Sequence, residues 1–220
     1  MDTQKKINVI GKKSGRPATG NRHGVYLSTS LRSILVCSAI SLVLVVGWSR
    51  KVCAQDVAVP LPMQVQLLAT VADYDKGFAE RANGKAKIVL LTSKNPDSAK
   101  AANQIQGALG KVAQIGGVPH EESIVKYESG AALATLCKAN GISIVFVMPG
   151  FQNEIGDIKN NLSNLNVLSV ASVGSYVQQG IVLGFDVISG KPKLLVNLPQ
   201  ARTQKVNFKA ELLKMVKVIE

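Results

Sequence analysis

The chain has 220 residues and a formal net charge of +12, from 26 Lys and Arg against 14 Asp and Glu. Nine of the cations and one acid precede Gln55, so the remainder carries seventeen cations against thirteen acids, dispersed and without a basic cluster interleaved with aromatics. That distribution argues against a nucleic-acid partner, and a remainder of about 165 residues is one domain with enough chain to bury a core.

The first 54 residues read as an export leader. A long basic preamble (Lys5, Lys6, Lys12, Lys13, Arg16, Arg22, Arg32) precedes an apolar run from Ile34 to Trp48, and Val52-Cys53-Ala54 supplies small side chains for a cut before Gln55. The run is about 15 residues, short of the roughly 20 that span a bilayer comfortably. Arg50 and Lys51 stand between the run and the cut, so the alternative to a cleaved signal peptide is a retained N-terminal anchor oriented by its cations. Neither Cys37 nor Cys53 follows the small-residue pattern of a lipoprotein. Either way the expected location is the periplasm.

Residues 55–62 read as a linker, because Pro60 and Pro62 oppose regular helix there. Residues 63–220 form the predicted domain. Met63 to Arg81 carries a helical period ending at Asn83-Gly84, and Lys87 to Thr92 (KIVLLT) is an apolar strand. A helix is expected from Asp97 to Val112, and a short strand from Ile124 to Tyr127. Gly130 to Ala139 is again helical, Ile142 to Met148 (ISIVFVM) a strand, Asn153 to Asn161 a helix, and Val167 to Val170 a strand. Runs apolar at every position suit strands covered on both faces, and their alternation with helices predicts an α/β fold with a mostly parallel sheet and helices on both faces. Ile181 to Ile188 and Lys193 to Leu198 flank the tight turn Ser189-Gly190-Lys191-Pro192, which predicts a C-terminal antiparallel β-hairpin, and Phe208 to Val218 reads as the closing helix.

Conventional chemistry is sparse. The two histidines are His23, in the leader, and His120, read as a solvated loop residue beside Glu121 and Glu122; a general base for Ser172 or Ser175 would have to be His120. One His and one Cys after the leader cannot make a zinc set. Asp73 and Asp75 are read as a solvated helix end, with a shared cation as the alternative. No GxxxxGK[ST] or GxGxxG loop follows a predicted strand, so no nucleotide cofactor is expected. Cys137 lies in an apolar helical pattern and reads as a buried hydrophobe, an intermolecular disulfide being the alternative. What remains is the carboxyl edge of the sheet, where open α/β sheets bind ligands. Ser93, Phe151, Ser172 and Ser175 collect there as candidates for a small polar or anionic ligand or a partner, and Arg202, after the last strand, is a candidate cation for an anionic or acidic one.

From Val167 on, VLSVASVGSYVQQG, the apolar strand that follows, a charged turn, a strand closing on Asn-Leu, an Ala-Arg pair and a final Leu-Leu-Lys form a pattern carried by Gly180, Phe185, Asn197, Ala201, Arg202, Leu212 and Leu213. This resembles the YfiR family of periplasmic proteins. The resemblance implies a non-enzymatic regulator, a homodimer, that acts by protein contact on an inner-membrane signalling partner such as a diguanylate cyclase and so bears on cyclic-di-GMP signalling. The paired cysteines of redox-sensing members have no counterpart here, so that mechanism does not carry over. A periplasmic solute-binding module of a transport or sensing system is the alternative function, and a hydrolase using His120 a third.

Overall fold

The computed structural model describes residues 58–220. The leader, its cut after Ala54, His23, Cys37 and Cys53 lie outside the described residues, as does the start of the expected linker.

Helix α1 (Leu61–Ala72) begins two residues earlier than the proline pair suggested, because Pro60 precedes the first turn and Pro62 lies within it. Proline is tolerated there, where an N–H would have no intrahelical acceptor. The expected continuous helix to Arg81 is instead broken at Asp73–Gly77 and resumes as α2 (Phe78–Ala82), which ends on Asn83 in the left-handed region (φ 47°). The break turns the Asp75 carboxylate inward onto Arg81.

Strand β1 (Ala86–Thr92) is followed by α3 (Pro96–Leu109), whose start is capped by the Asn95 side chain accepting from Asp97 N at 3.0 Å. Next come β2 (His120–Lys126), α4 (Gly130–Asn140), β3 (Ile144–Val147), α5 (Ile155–Leu162) and β4 (Leu168–Ala171). A single helical turn, α6 (Ser175–Gln178), leads to the hairpin β5 (Leu183–Ile188) and β6 (Lys191–Asn197). Ser189 (φ 52°) and Gly190 (φ 73°) close it as a two-residue turn with positive φ at both positions. Asn197 then caps α7 (Leu198–Thr203) by accepting from Gln200 N at 2.9 Å.

The closing helix is shorter than its apolar spacing predicts. It spans α8 (Ala210–Leu213), and the chain then pairs as β7 (Lys217–Ile219), parallel to β6. Met215, between the two elements, is exposed.

The sheet order is β2-β1-β3-β4-β5-β6-β7, parallel from β2 to β5, with β6 antiparallel to β5. Alternation along each central strand sorts the core in two. Ile88, Leu90, Ile144, Phe146, Leu168 and Val170 face α1 and α3, whereas Val89, Leu91, Val145, Val147 and Ala171 face α4 and α5. The mostly parallel sheet, covered on both faces and ended by a hairpin with short closing helices, is the fold class the sequence predicts.

Candidate functional site at the sheet edges

Strand order reverses at β1: the chain passes outward to β2 and returns to β3 on the other side. The crevice that such a reversal opens lies at the carboxyl ends of β1 and β3. Here it is closed. Ser93 Oγ accepts from Asn95 N at 3.2 Å and donates to Pro149 O at 3.4 Å, which draws the two strand-end loops together. Gly150 (φ +93°) permits the approach, since a Cβ there would lie 2.6 Å from Ser93 Oγ.

The next strand end is sealed by side chains from afar. The Tyr176 hydroxyl, fully buried, accepts from Gly150 N (3.0 Å) and Phe151 N (2.9 Å). Phe151 is fully buried, edge-on to Tyr127 with ring centroids 5.4 Å apart. Ser172 is buried too: its Oγ donates to Val147 O (3.0 Å), and its carbonyl accepts from Gln64 Nε2 (3.0 Å), which also donates to Val59 O (2.9 Å). Gln64 Oε1 is buried without a hydrogen-bond partner.

Ser175 alone of the candidate serines is exposed. It lies on the rim of a cleft of about 370 Å³ with Ala58, Gly174, Gln178, Asp186, Leu195 and Lys217. Gly174 lets the loop press on β5, because a Cβ would stand 2.9 Å from Phe185 O and 3.3 Å from Asp186 Cβ. Ala58 and Leu195 are the cleft's apolar lining, and a carboxylate, an ammonium, a hydroxyl and a carboxamide line it as well.

Arg202 does not join this group. It sits on α7, which leaves the end of antiparallel β6, and so lies exposed at the amino edge of the sheet. That edge is held by a buried ion pair: Arg81 Nη1 meets Asp75 Oδ2 at 2.5 Å, with both side chains excluded from water. Arg81 Nε also donates to Asn166 Oδ1 (2.9 Å) and Nη2 to Lys205 O (3.4 Å), while Asp75 Oδ1 accepts from Gly77 N (3.1 Å) and Asn207 N (3.4 Å). Asp75 is therefore neither a solvated helix end nor a cation ligand shared with Asp73. Among the described residues no group of three or more His, Cys, Asp or Glu could hold a metal ion.

His120 is likewise not a solvated loop residue. It opens β2, with its side chain 6% exposed, Nε2 2.8 Å from Val112 O and Nδ1 3.3 Å from Glu122 Oε2. Ser172 and His120 occupy opposite ends of the parallel strands, separated by about 20 Å at ~3.3 Å per residue, which removes a Ser–His pair. Cys137 is buried on α4, and desolvation pushes its thiol up to about 12, so it stays a thiol.

A third cluster, at the carboxyl end of β2, ties two helices. Tyr127 OH donates to Asp157 Oδ2 (2.5 Å), Gly130 N donates to the same oxygen (2.7 Å), and Asn161 Nδ2 donates to Oδ1 (2.8 Å). These bonds, led by the one from Tyr127, hold the Asp157 carboxyl below the usual range. Burial, followed by the bond to Asp157, raises the Tyr127 phenol well above its ordinary value. The sequence reading missed Tyr176, Gln64 and Asp157. For Gln64 a signal existed, a polar residue on the apolar stripe Leu61, Val65, Leu68, Val71; for Asp157 there was none.

The family model described as YfiR/HmsC-like (DUF4154) matches residues 78–217, from α2 to the first residue of β7. The chain belongs to the YfiR/HmsC-like family. Helix α1, which supplies Gln64, lies outside the match. No curated protein matches the chain. Among solved structures, the ABC domain in complex with L-Trp from Streptococcus pneumonia is similar at 15% identity and a TM-score of 0.52, over 73% of this chain and 60% of that one. A conserved domain protein from Vibrio cholerae is similar at 11% identity and a TM-score of 0.49, over the same shares. The YfiR/HmsC-like chain thus spans about three-fifths of the length of these structures, and what it has in common with the first is the fold. Among the described residues no helix is long and apolar enough to cross a membrane.

Proposed function

We propose that this YfiR/HmsC-like chain is an exported, periplasmic, non-enzymatic recognition module that binds a small polar solute in the cleft beside Ser175. The observation that carries the reading is the cleft itself. At about 370 Å³ it falls within the roughly 300–1,000 Å³ usual for small-molecule sites, and Ser175, Gln178, Asp186 and Lys217 give its lining the polar groups that would suit a polar solute. The fold is shared with a domain whose structure is a complex with L-Trp, which makes an amino acid a reasonable first probe. Binding without turnover fits a carboxyl edge whose hydroxyls, Ser172 and Tyr176, are engaged with backbone.

Family membership supports a second reading, in which the module contacts an inner-membrane signalling protein such as a diguanylate cyclase. A thermal-shift panel of amino acids, nucleotides, peptidoglycan fragments and small anions separates the two. A ligand at one hundred times its Kd adds about 2.7 kcal/mol of stability, and Ser175→Trp, which fills the rim, abolishes the shift. Flat melting curves across the panel, together with specific capture of a signalling protein from solubilised membranes, would reject the solute reading in favour of the second.

A further inference from the structure

The two sheet edges are unequal. β7 is a three-residue strand, whereas β2 runs seven residues, His120 to Lys126, with no proline and no bulge, and among the described residues it is paired on one side only. Natural edge strands are usually shortened, bent, covered or charged, since a free row of N–H and C=O groups recruits another strand, and β2 has only charge, in Glu121, Glu122 and Lys126. Ile124 is 40% exposed on this one.

The hydrogen bonds fix which residues face outward. Pro119 O accepts from Ala86 N, Tyr127 N donates to Thr92 O, and Val125 O accepts from Thr92 Oγ1, so the odd-numbered residues of β2 point their backbone groups at β1. Glu122, Ile124 and Lys126 therefore point theirs away from the sheet. An antiparallel partner related by a two-fold axis must pair these outward residues with one another, which leaves a short set of registers. Centring on Ile124 sets Ile124 against Ile124 of the partner subunit, and Glu122 against Lys126 of the partner subunit, twice over. Centring on Ser123 sets His120 against a lysine, on Glu122 two carboxylates against each other, and on Val125 Glu122 against Glu128 of the partner subunit. Charge selects one register. Within a single copy Glu122 reaches only His120, and Lys126 has no ion-pair partner among the described residues.

We infer that β2 pairs antiparallel with β2 of a second copy, centred on Ile124, joining the two sheets into one. Continuous sheets of that strand number occur in large α/β proteins.

The decisive measurement uses the full chain with Cys37, Cys53 and Cys137 replaced by alanine. Hydrogen-bonded antiparallel partners lie about 5.5 Å apart at Cα, within the span of a disulfide. Ile124→Cys should therefore oxidise to a covalent dimer in high yield, and Val187→Cys, an exposed control on β5, should not. In that Ile124→Cys background Glu122→Lys or Lys126→Glu should each reduce the dimer several-fold, and the two together should restore it. Equal crosslinking at the two cysteines, a monomer under oxidant, or a charge-swapped double variant no better than either single one would each overturn the proposal; circular dichroism of every variant separates these results from misfolding.

Discussion

The two edges of one sheet are sealed by different physics. At the amino edge a buried charge pair does the work: Arg81 reaches Asp75, Asn166 and Lys205 O and thereby ties the α1–α2 turn to the loops before β4 and after α7. At the carboxyl edge the seals are neutral, a phenol oxygen, a carboxamide and two serine hydroxyls against backbone groups. A charged knot fails wholly when one member is lost, because the other is left buried and unpaired. Neutral seals fail one bond at a time, and so the carboxyl edge can vary its rim, where Ser175 and the cleft lie, without risk to the body.

The sharpest way to break this contrast is at the amino edge. Arg81→Met leaves the Asp75 carboxylate uncompensated and should cost about 3–5 kcal/mol by denaturant unfolding. Adding Asp75→Asn to Arg81→Met should recover part of that loss, since the stranded charge is gone. If the double variant were as unstable as the sum of the single ones, charge would not be what holds this edge.

The carboxyl-edge counterpart is Tyr176→Phe. It leaves the buried Phe151 N–H and the half-buried Gly150 N–H without their acceptor, a loss of about 2–3 kcal/mol, smaller than the amino-edge loss because no charge is stranded. One step down is Gly150→Ala, which places a methyl 2.6 Å from Ser93 Oγ at φ +93°. It should destabilise by about 1–2 kcal/mol. Ser93→Ala should relieve the steric share, so the pair should couple by more than about 0.5 kcal/mol in a double-mutant cycle. Additivity within error would mean that the two strand-end loops do not press on each other.

These seals also mark where the sequence stops being informative. The apolar runs at β1, β3 and β4 were legible because every position but Lys87 is buried, on alternate faces, and the turn formers Ser189-Gly190-Lys191-Pro192 announced the hairpin, although pairing resumes already at Lys191. The closing segment misled because Leu212, Leu213 and Val216 fit a helical period while Val216 and Val218 alternate like a strand; pairing with β6 decides in favour of β7. Strand β2 was read too short because an edge strand carries charge, and His120, Glu121 and Glu122 look like loop. The bond from Gly150 N to Tyr176 spans 26 residues, and the contact of Arg81 with Lys205 spans 124. No local pattern encodes either of them. Candidate serines could be placed at strand ends from sequence, but whether a hydroxyl faces solvent, as at Ser175, or backbone, as at Ser172, depends on chain that arrives from elsewhere.

The smallest effect is expected where the carboxyl edge does use a charge, at Asp157, and there the sign is what matters. The folded carboxyl titrates below its unfolded value of about 3.9, so the unfolded chain binds the proton first. The stabilisation from Asp157 is therefore present above about pH 4 and is lost as pH falls through the folded value. Tyr127 works in the opposite sense: its folded value is raised above the unfolded value near 10, so its contribution is intact below pH 10 and declines as pH rises beyond that. Asp157 is exposed to water, which screens its charge, and Asp157→Asn should cost no more than about 1 kcal/mol at pH 7. The stability difference between wild type and Asp157→Asn, measured by urea unfolding at a series of pH values, should shrink steadily as pH falls below about 4. A difference that persisted unchanged into acid would assign the bond from Tyr127 to shape rather than charge, and the carboxyl edge would then be neutral throughout.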